Sequence, residues 1–420
     1  MSRAYDPIYQ LAAREAVRFI GTVGDIVADI CPLLCSIAKS FDGREVRAES
    51  DLIETIQLHR VANKKDRSTA GVAKHTLEVA SHLRILEPIP ISTSRSKKYA
   101  LGRSGRVLLA MTTHKSWNAT NAALAIRRPM FEYNGDYLLQ ALVTIDTTSL
   151  RNEQLSKFAL LVRELTAEKL AELPVTRSGL NWNIYVQELT ERQWWMKTQT
   201  SESNSRPSLA DLKRARMRTA AASQKASSKS ETANKSESKT FEHHFVRCRS
   251  WLNDLGLIIR TPEGDRLNDE GSRVLRYFVT TSATKHPPRI PPTASLLQDA
   301  LSLSQEQILE SWGAVVDDSF WEEGLYNLDR YGTYEPTFSE FKEVFSWAFD
   351  RVKFQRVSEA PLPAMRDVIF LSFLWADKPL RPRQISQLID TILQQLPDTF
   401  GVGKNRQGRM AFVFRKKSAG

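Results

Sequence analysis

The chain has 420 residues, 41% of them hydrophobic, with 59 Lys/Arg against 48 Asp/Glu, a net charge of +11 and a pI near 9.5. That length gives room for about two to four domains with real cores, and the basic balance points to an anionic partner. Only 3 cysteines, and no apolar run near the roughly 20 residues that span a bilayer, argue against a disulfide framework and against membrane insertion. The opening Met1-Ser-Arg-Ala-Tyr-Asp is polar, so no signal peptide is expected, and a reduced, cytoplasmic setting is.

In chain order, Leu11, Val17, Ile20, Val23, Ile26, Ile30 and Leu34 recur at helical spacing and predict a helix over 8–41, kinked or broken at Pro32. Cys31 and Cys35 share one face of it and read as core. A second helix is expected over 50–60, capped by Ser50 or Asp51. After a basic turn at 61–68, Ser68 or Thr69 caps a third helix that runs to about Leu86 and is stopped by Pro88. Its buried face is Val72 or Ala73, Leu77, Ala80, Leu83 and Leu86; Lys74, His75, Glu78, Ser81 and His82 lie opposite. Ile89 and Ile91 begin a strand, Ser92 to Lys98 form a basic loop, and Tyr99–Leu101 return. Residues 61–115 hold 11 Lys/Arg against 3 Asp/Glu, a net +8 that makes up most of the excess.

Residues 118–174 read as helical, with turns at Arg128-Pro129 and Asn134-Gly135; Leu138–Ile145 fits helix and strand equally, and Leu155–Leu173 is amphipathic. The aromatics Trp182, Tyr185, Trp194 and Trp195 read as packing. Residues 198–240 are rich in Ser, Ala, Lys and Glu with few large apolar residues, the composition of a flexible basic linker. Beyond it, Phe241, Phe245, Leu252 and Leu255 form a buried helix face, with His243, His244, Arg247 and Ser250 exposed. A strand over Leu257–Arg260, a short turn with Gly264, a return at Arg266-Leu267 and a helix capped by Asn268 follow. A proline-rich boundary at 286–292 precedes helices at 294–312, 319–332 and 336–354, an acidic aromatic block that packs on the other domains or on a partner. The end of the chain is expected as helices Met365–Ala376 and Ile385–Leu396, then a strand–turn–strand from Phe400 with its tip at Asn405–Gly408. Residues 401–420 carry 6 basic side chains and no acid.

One pattern occurs twice. Leu83-Arg-Ile-Leu86 leads through a strand, a loop and a strand to Leu101-Gly-Arg-Ser-Gly105, as Leu252-Asn-Asp-Leu255 leads to Leu267-Asn-Asp-Glu-Gly271. At Lys74–Leu86 with Lys97–Leu109 the chain resembles the winged helix-turn-helix superfamily, over about 24–111 and 240–280, with a third copy at 363–416. The first copy departs from the pattern at Glu87-Pro88, where a glycine often ends the third helix.

The resemblance implies a mainly α fold with small β wings (α+β), tandem modules joined by helical segments, a third helix in the major groove and a wing along the backbone. The divisions expected are 1–115, 116–197, 198–239, 240–284, 293–360 and 361–420. Duplex DNA is the expected partner, contacted by Lys64, Lys65, Arg67, Lys74, His75, Glu78, His82, Arg95, Lys97 and Lys98, then His244 and Arg247, then Lys404, Arg406 and Arg409. A protein partner is expected at 312–349. Several such modules in a basic chain are similar to recognition parts of restriction enzymes and of bacterial defence or mobile-element complexes.

Catalytic patterns are thin. Gly401-Val-Gly403-Lys404 lacks the spacing and the Ser/Thr of a phosphate loop, and no Gly-x-Ser-x-Gly elbow or zinc spacing occurs. Glu340-Phe341-Lys342 with Asp329 upstream fits a magnesium-nuclease triplet, but its apolar neighbours read as helix. No catalytic residue, metal or cofactor is expected. DNA binding leads; a scaffold whose modules hold proteins is the alternative, and a metal-dependent nuclease a second.

Overall fold

The computed structural model describes residues 30–62, 70–89, 97–158, 245–282, 318–355, 357–404 and 410–416. It is mainly helical, with small antiparallel sheets. In the first segment, α1 (Ile30–Lys39), β1 (Val46–Ala48), α2 (Glu49–Ala62), α3 (Ala70–His82), β2 (Leu86–Ile89) and β3 (Lys98–Leu101) follow one another. Both β1 and β2 pair antiparallel with β3, so the sheet order is β1-β3-β2. Leu34, Ile37 and Phe41 meet Leu52, Ile56, Leu77, Ala80 and Leu83 in the core, all essentially without exposure. Cys31 and Cys35 are buried there as free thiols, and burial pushes Cys35 up to about 12. Pro32 is the third residue of the described helix, and the expected course over 8–29 lies outside the described residues.

Two expectations shift here. α3 ends at His82, not near Leu86, because Arg84 takes a left-handed backbone (φ 55°). The Ile85 N–H then bonds to the Ala80 carbonyl (2.8 Å) and the Arg84 N–H to the Ser81 carbonyl (3.0 Å), which closes the helix. Pro88 is no terminator; it sits inside edge strand β2, opposite Tyr99, where a missing N–H is tolerated. Strand β1 is short and half-polar, and was not foreseen.

The sequence repeat is reproduced in atomic detail. The helical stretch 245–254 ends at Gly256 (φ 68°) with the same two bonds, Leu257 N–H to Leu252 O and Gly256 N–H to Asn253 O. β4 (Ile258–Arg260) pairs with β5 (Asp265–Leu267), and α6 (Asp269–Ser282) follows, as α4 (Arg103–Met111) follows β3. A Cβ at Gly105 would strike the Ile85 carbonyl oxygen, and one at Gly271 the Leu257 carbonyl oxygen. The recurrent glycine is therefore a close approach of helix to strand. Asn268 caps α6 as expected, accepting from the Gly271 N–H at 2.8 Å.

Among the described residues the sheet of this second module has two strands. Where β3 meets β1 in the first module, β5 meets a side chain. The carboxamide of fully buried Gln154 accepts from the Asp265 N–H (3.2 Å) and donates to the Asp265 carbonyl (2.9 Å). Arg151 N–H adds a bond to the Glu263 carbonyl. The amide does what a neighbouring strand would do. Replacing Gln154 by Ala strands both backbone groups and should lower unfolding free energy by about 2 kcal/mol or more in urea titration. Gln154→Glu should cost a comparable amount, since it loses the donor; an unaltered midpoint in both variants would refute the edge-capping role.

α5 (Ala119–Thr147) joins the modules as a continuous helix of 29 residues. It corrects the expected turns at Arg128-Pro129 and Asn134-Gly135. A proline inside the helix costs it one hydrogen bond, but α5 gains a full apolar face: Ile126, Met130, Phe131, Leu138, Leu142 and Ile145. Packing against α1, α4, α6 and α7 outweighs local turn preference. Leu138–Ile145 is thereby helix. Residues 151–158 are helical too; the rest of the expected 155–173 helix, the aromatics at 182–195 and the linker at 198–240 lie outside the described residues.

The expected helix at 319–332 is divided into α7 (Asp318–Leu325) and a 3₁₀ turn (Leu328–Tyr331), the one expected at 336–354 forms as α8 (Phe338–Val352), and that at 294–312 lies outside the described residues. β6 (Glu359–Pro361), α9 (Leu362–Trp375), α10 (Pro382–Gln395), β7 (Phe400–Lys404) and β8 (Met410–Arg415) complete the fold, with sheet order β6-β8-β7. The element order from α8 to β8 matches that from α1 to β3. Across the expected division at 360/361, Phe341 stacks on Phe373 (6.2 Å) and Phe345 meets Phe400 edge-on (5.1 Å). Trp321, Phe341, Phe345 and Phe349 of the acidic aromatic block are buried within the chain.

Candidate nucleic-acid interface

The surface singled out by charge lies on α3 and the β2–β3 hairpin. Ala73, Thr76, Leu77, Val79 and Ala80 turn inward, which leaves Lys74 and Glu78, one helical turn apart, exposed. Lys97 and Lys98 are exposed where β3 begins. Lys98 lies between Ala48 and Ile89 in the sheet, and the Lys97 carbonyl accepts from the Glu49 N–H at 3.0 Å, so the backbone under both ammonium groups is fixed. Burial raises the Tyr99 phenol above its ordinary range, and the Glu49 and Glu78 carboxylates add to this. His75 and His82 belong to α3 by position; Lys64, Lys65, Arg67 and Arg95 lie outside the described residues.

The other two clusters are less open. In the second module His244 lies outside the described residues, and Arg247 is half-buried, not exposed as expected. Burial pushes the adjacent Cys248 thiol up to about 12. The Thr261–Gly264 turn packs on the chain after α5: Arg151 donates to the Thr261 carbonyl, and a Cβ on Gly264 would strike the Ser149 carbonyl. In the third module Lys404 is exposed at the end of β7, and Arg406 and Arg409 lie outside the described residues.

Charge reasoning missed a polar junction among α4, α5, α7 and α9. Arg103, at the start of α4, forms two 2.7 Å bonds with Asp367 on α9. Arg128 on α5 reaches Glu132 (2.6 Å), Glu322 of α7 (3.1 Å) and Asp367 (3.4 Å). Burial opposes ionisation of Glu132, but Arg128, Arg103 and Arg84 outweigh it and hold the carboxyl below its usual range. Arg127, 4% exposed, donates to Glu270 (2.8 Å) and to the Leu325 and Leu255 carbonyls. The available signal was an Arg-Arg pair set inside the apolar run Ala122–Phe131.

The nuclease triplet sits on α8, as its apolar neighbours predict, and helical geometry turns Glu340 and Lys342 apart. Hydrogen bonds from Tyr334 and Lys378 hold the Glu340 carboxyl below its usual range, and Asp329 pairs with Arg381 at 2.7 Å. Among the described residues no three His, Cys, Asp or Glu side chains group as a metal site, and no helix is long and apolar enough to cross a membrane. No protein-family model, curated protein or solved structure matches this chain.

Proposed function

We propose that this chain binds duplex DNA through tandem winged-helix modules, with the first module gripping the phosphate backbone. The observation that carries the reading is the placement of Lys74, Lys97 and Lys98, exposed on the third helix and on the strand beside it, within the segment of net charge +8. A sheet ordered first strand, last strand, middle strand behind three helices supports the winged-helix assignment in the first and third modules. Lysines so placed attract phosphate without regard to sequence and release counterions as they bind.

Full-length protein should bind random duplex DNA with an affinity that falls steeply with salt. Reversing Lys97 and Lys98 to Glu should weaken binding to all sequences by at least about tenfold and flatten the logarithmic salt slope by about 0.9 for each phosphate no longer neutralised. Binding that is absent at low salt, or unchanged in the double variant, would defeat the proposal. The turn and strand edge of the second module are occupied by its own chain, which leaves DNA contact to the other two modules.

A further inference from the structure

A cavity of about 210 Å³ lies between the first module and the third. Its walls are α4, the turn at 41–45 between α1 and β1, and the end of α8. The Gln355 carboxamide ties the two sides together, accepting from the Arg44 N–H (2.9 Å) and donating to the Gly43 carbonyl (3.3 Å). Arg44, Arg106, Arg351 and Lys353 line the cavity, with the carboxylates of Asp42, Glu45 and Asp350. Lys353 and Asp350 pair at 2.8 Å, and Arg415 also reaches Asp350 (3.4 Å). The side chains of Arg44, Arg106 and Arg351 make no hydrogen bond or ion pair with any described residue, and neither does the Asp42 carboxylate.

Arg106 is the most constrained of these groups. It is half-buried on α4, and its guanidinium lies 4.2 Å from the centre of the Phe354 ring. Phe354 is itself fixed, by its N–H on the Glu359 carbonyl (2.8 Å) and by its ring against Phe412. The fork therefore has its orientation before any ligand arrives. Burial pulls Arg106 below its ordinary range, and Glu87 and Glu45 act against this without touching it. A partly desolvated cation with no contact partner is costly, and a bound anion removes that cost. The carbonyls at the two helix ends do not compete for the guanidinium groups. Backbone N–H groups already bond to them: Asp42 to Lys39, Arg44 to Phe41 and Lys353 to Phe349.

We propose that this cavity binds a small phosphate ester that also carries hydroxyl groups, a sugar phosphate in class. A phosphomonoester brings three terminal oxygens and about −1.5 to −2 charge, which suits three guanidinium groups better than a carboxylate does. Asp42 can only accept hydrogen bonds, so it selects a hydroxyl donor on the ester and disfavours bare phosphate. The walls come from two modules, so the bound ester bridges them. The inference goes beyond DNA binding and does not rest on it.

The test is calorimetric titration of full-length protein, without DNA, with ribose 5-phosphate, inorganic phosphate and ribose. Ribose 5-phosphate should bind and raise the melting midpoint, inorganic phosphate should bind at least about tenfold more weakly, and ribose should not bind. Arg106→Met keeps an apolar stem on Phe354 and should weaken ribose 5-phosphate at least about tenfold. Arg44→Ala with Arg351→Ala changes two exposed positions and should do the same, which decides the matter if Arg106→Met does not fold. Asp42→Asn should reduce the preference for ribose 5-phosphate over inorganic phosphate. No binding of either phosphate at millimolar concentration, or binding unchanged in the arginine variants that fold, overturns the site. Equal affinity of wild type for the two phosphates, or an unchanged preference in Asp42→Asn, overturns the assignment to a sugar phosphate.

Discussion

Asp265→Ala is expected to lower unfolding free energy by about 3–5 kcal/mol, enough to unfold the second module at ambient temperature. Asp265 is fully buried at the start of β5, and Arg249, 5% exposed, forks both carboxylate oxygens from the helical stretch before β4. The pair ties the helix to the hairpin across a core made by Phe245, Trp251, Leu252, Leu257 and Val274. Removing the carboxylate leaves a guanidinium in an apolar setting, and the cost is dominated by that stranded charge more than by the missing bonds. Urea unfolding followed by tryptophan fluorescence reads this directly, because Trp251 is in the same core. Arg249→Met combined with Asp265→Leu should recover much of the loss, since neither charge then remains. A single-variant change below about 1 kcal/mol would mean that water reaches the pair in solution.

Arg127→Ala is the second large expected effect, again about 3–5 kcal/mol. One guanidinium satisfies the carbonyls of Leu255 and Leu325, both at helix C-terminal ends, and pairs with Glu270 at the start of α6. Helix ends leave carbonyls without intrahelical partners, and here three elements converge on a single donor group from α5. Alanine removes every partner at once. Arg127→Lys should rescue little, because one ammonium lacks the fork that reaches three acceptors. Burial raises the Glu270 carboxyl, but Arg273 and Arg127 outweigh it, so its folded-state value lies below the ordinary one. Such a group contributes stability above its unfolded value and loses it as pH falls through the folded value. Stability of wild type should therefore fall on acidification, and the part owed to Glu270 should shrink in Arg127→Ala. Parallel pH profiles for the two proteins would contradict this.

Much of the local architecture was legible. Leu83-Arg-Ile-Leu86 with Gly105, and Leu252–Leu257 with Gly271, are spaced as a helix end, a strand and a close helix–strand approach require, and both copies fold so. The cap at Asn268 and the alternation in 385–396 were readable for the same reason: each depends on neighbours in sequence. β1 and β6 were not legible, since three residues with mixed burial carry no periodic signal and exist only through pairing with β3 and β8. α8 was legible as an amphipathic helix, but its membership in the third module depends on where Phe341, Phe345 and Phe349 pack, which no local pattern states.

By itself the sequence determined the helix faces, the strand-pair repeats, the buried cysteines and the concentration of positive charge over 61–115, all properties of short windows or of composition. Tertiary structure alone decided that α5 runs unbroken through Pro129, that Gln154 stands in for a strand at the β5 edge, and that Arg103, Arg127 and Arg128 face inward. The physical reason is common to these cases. A proline's missing bond, an amide's orientation or an arginine's desolvation is unfavourable locally, and only packing and hydrogen-bond partners from other elements make it favourable.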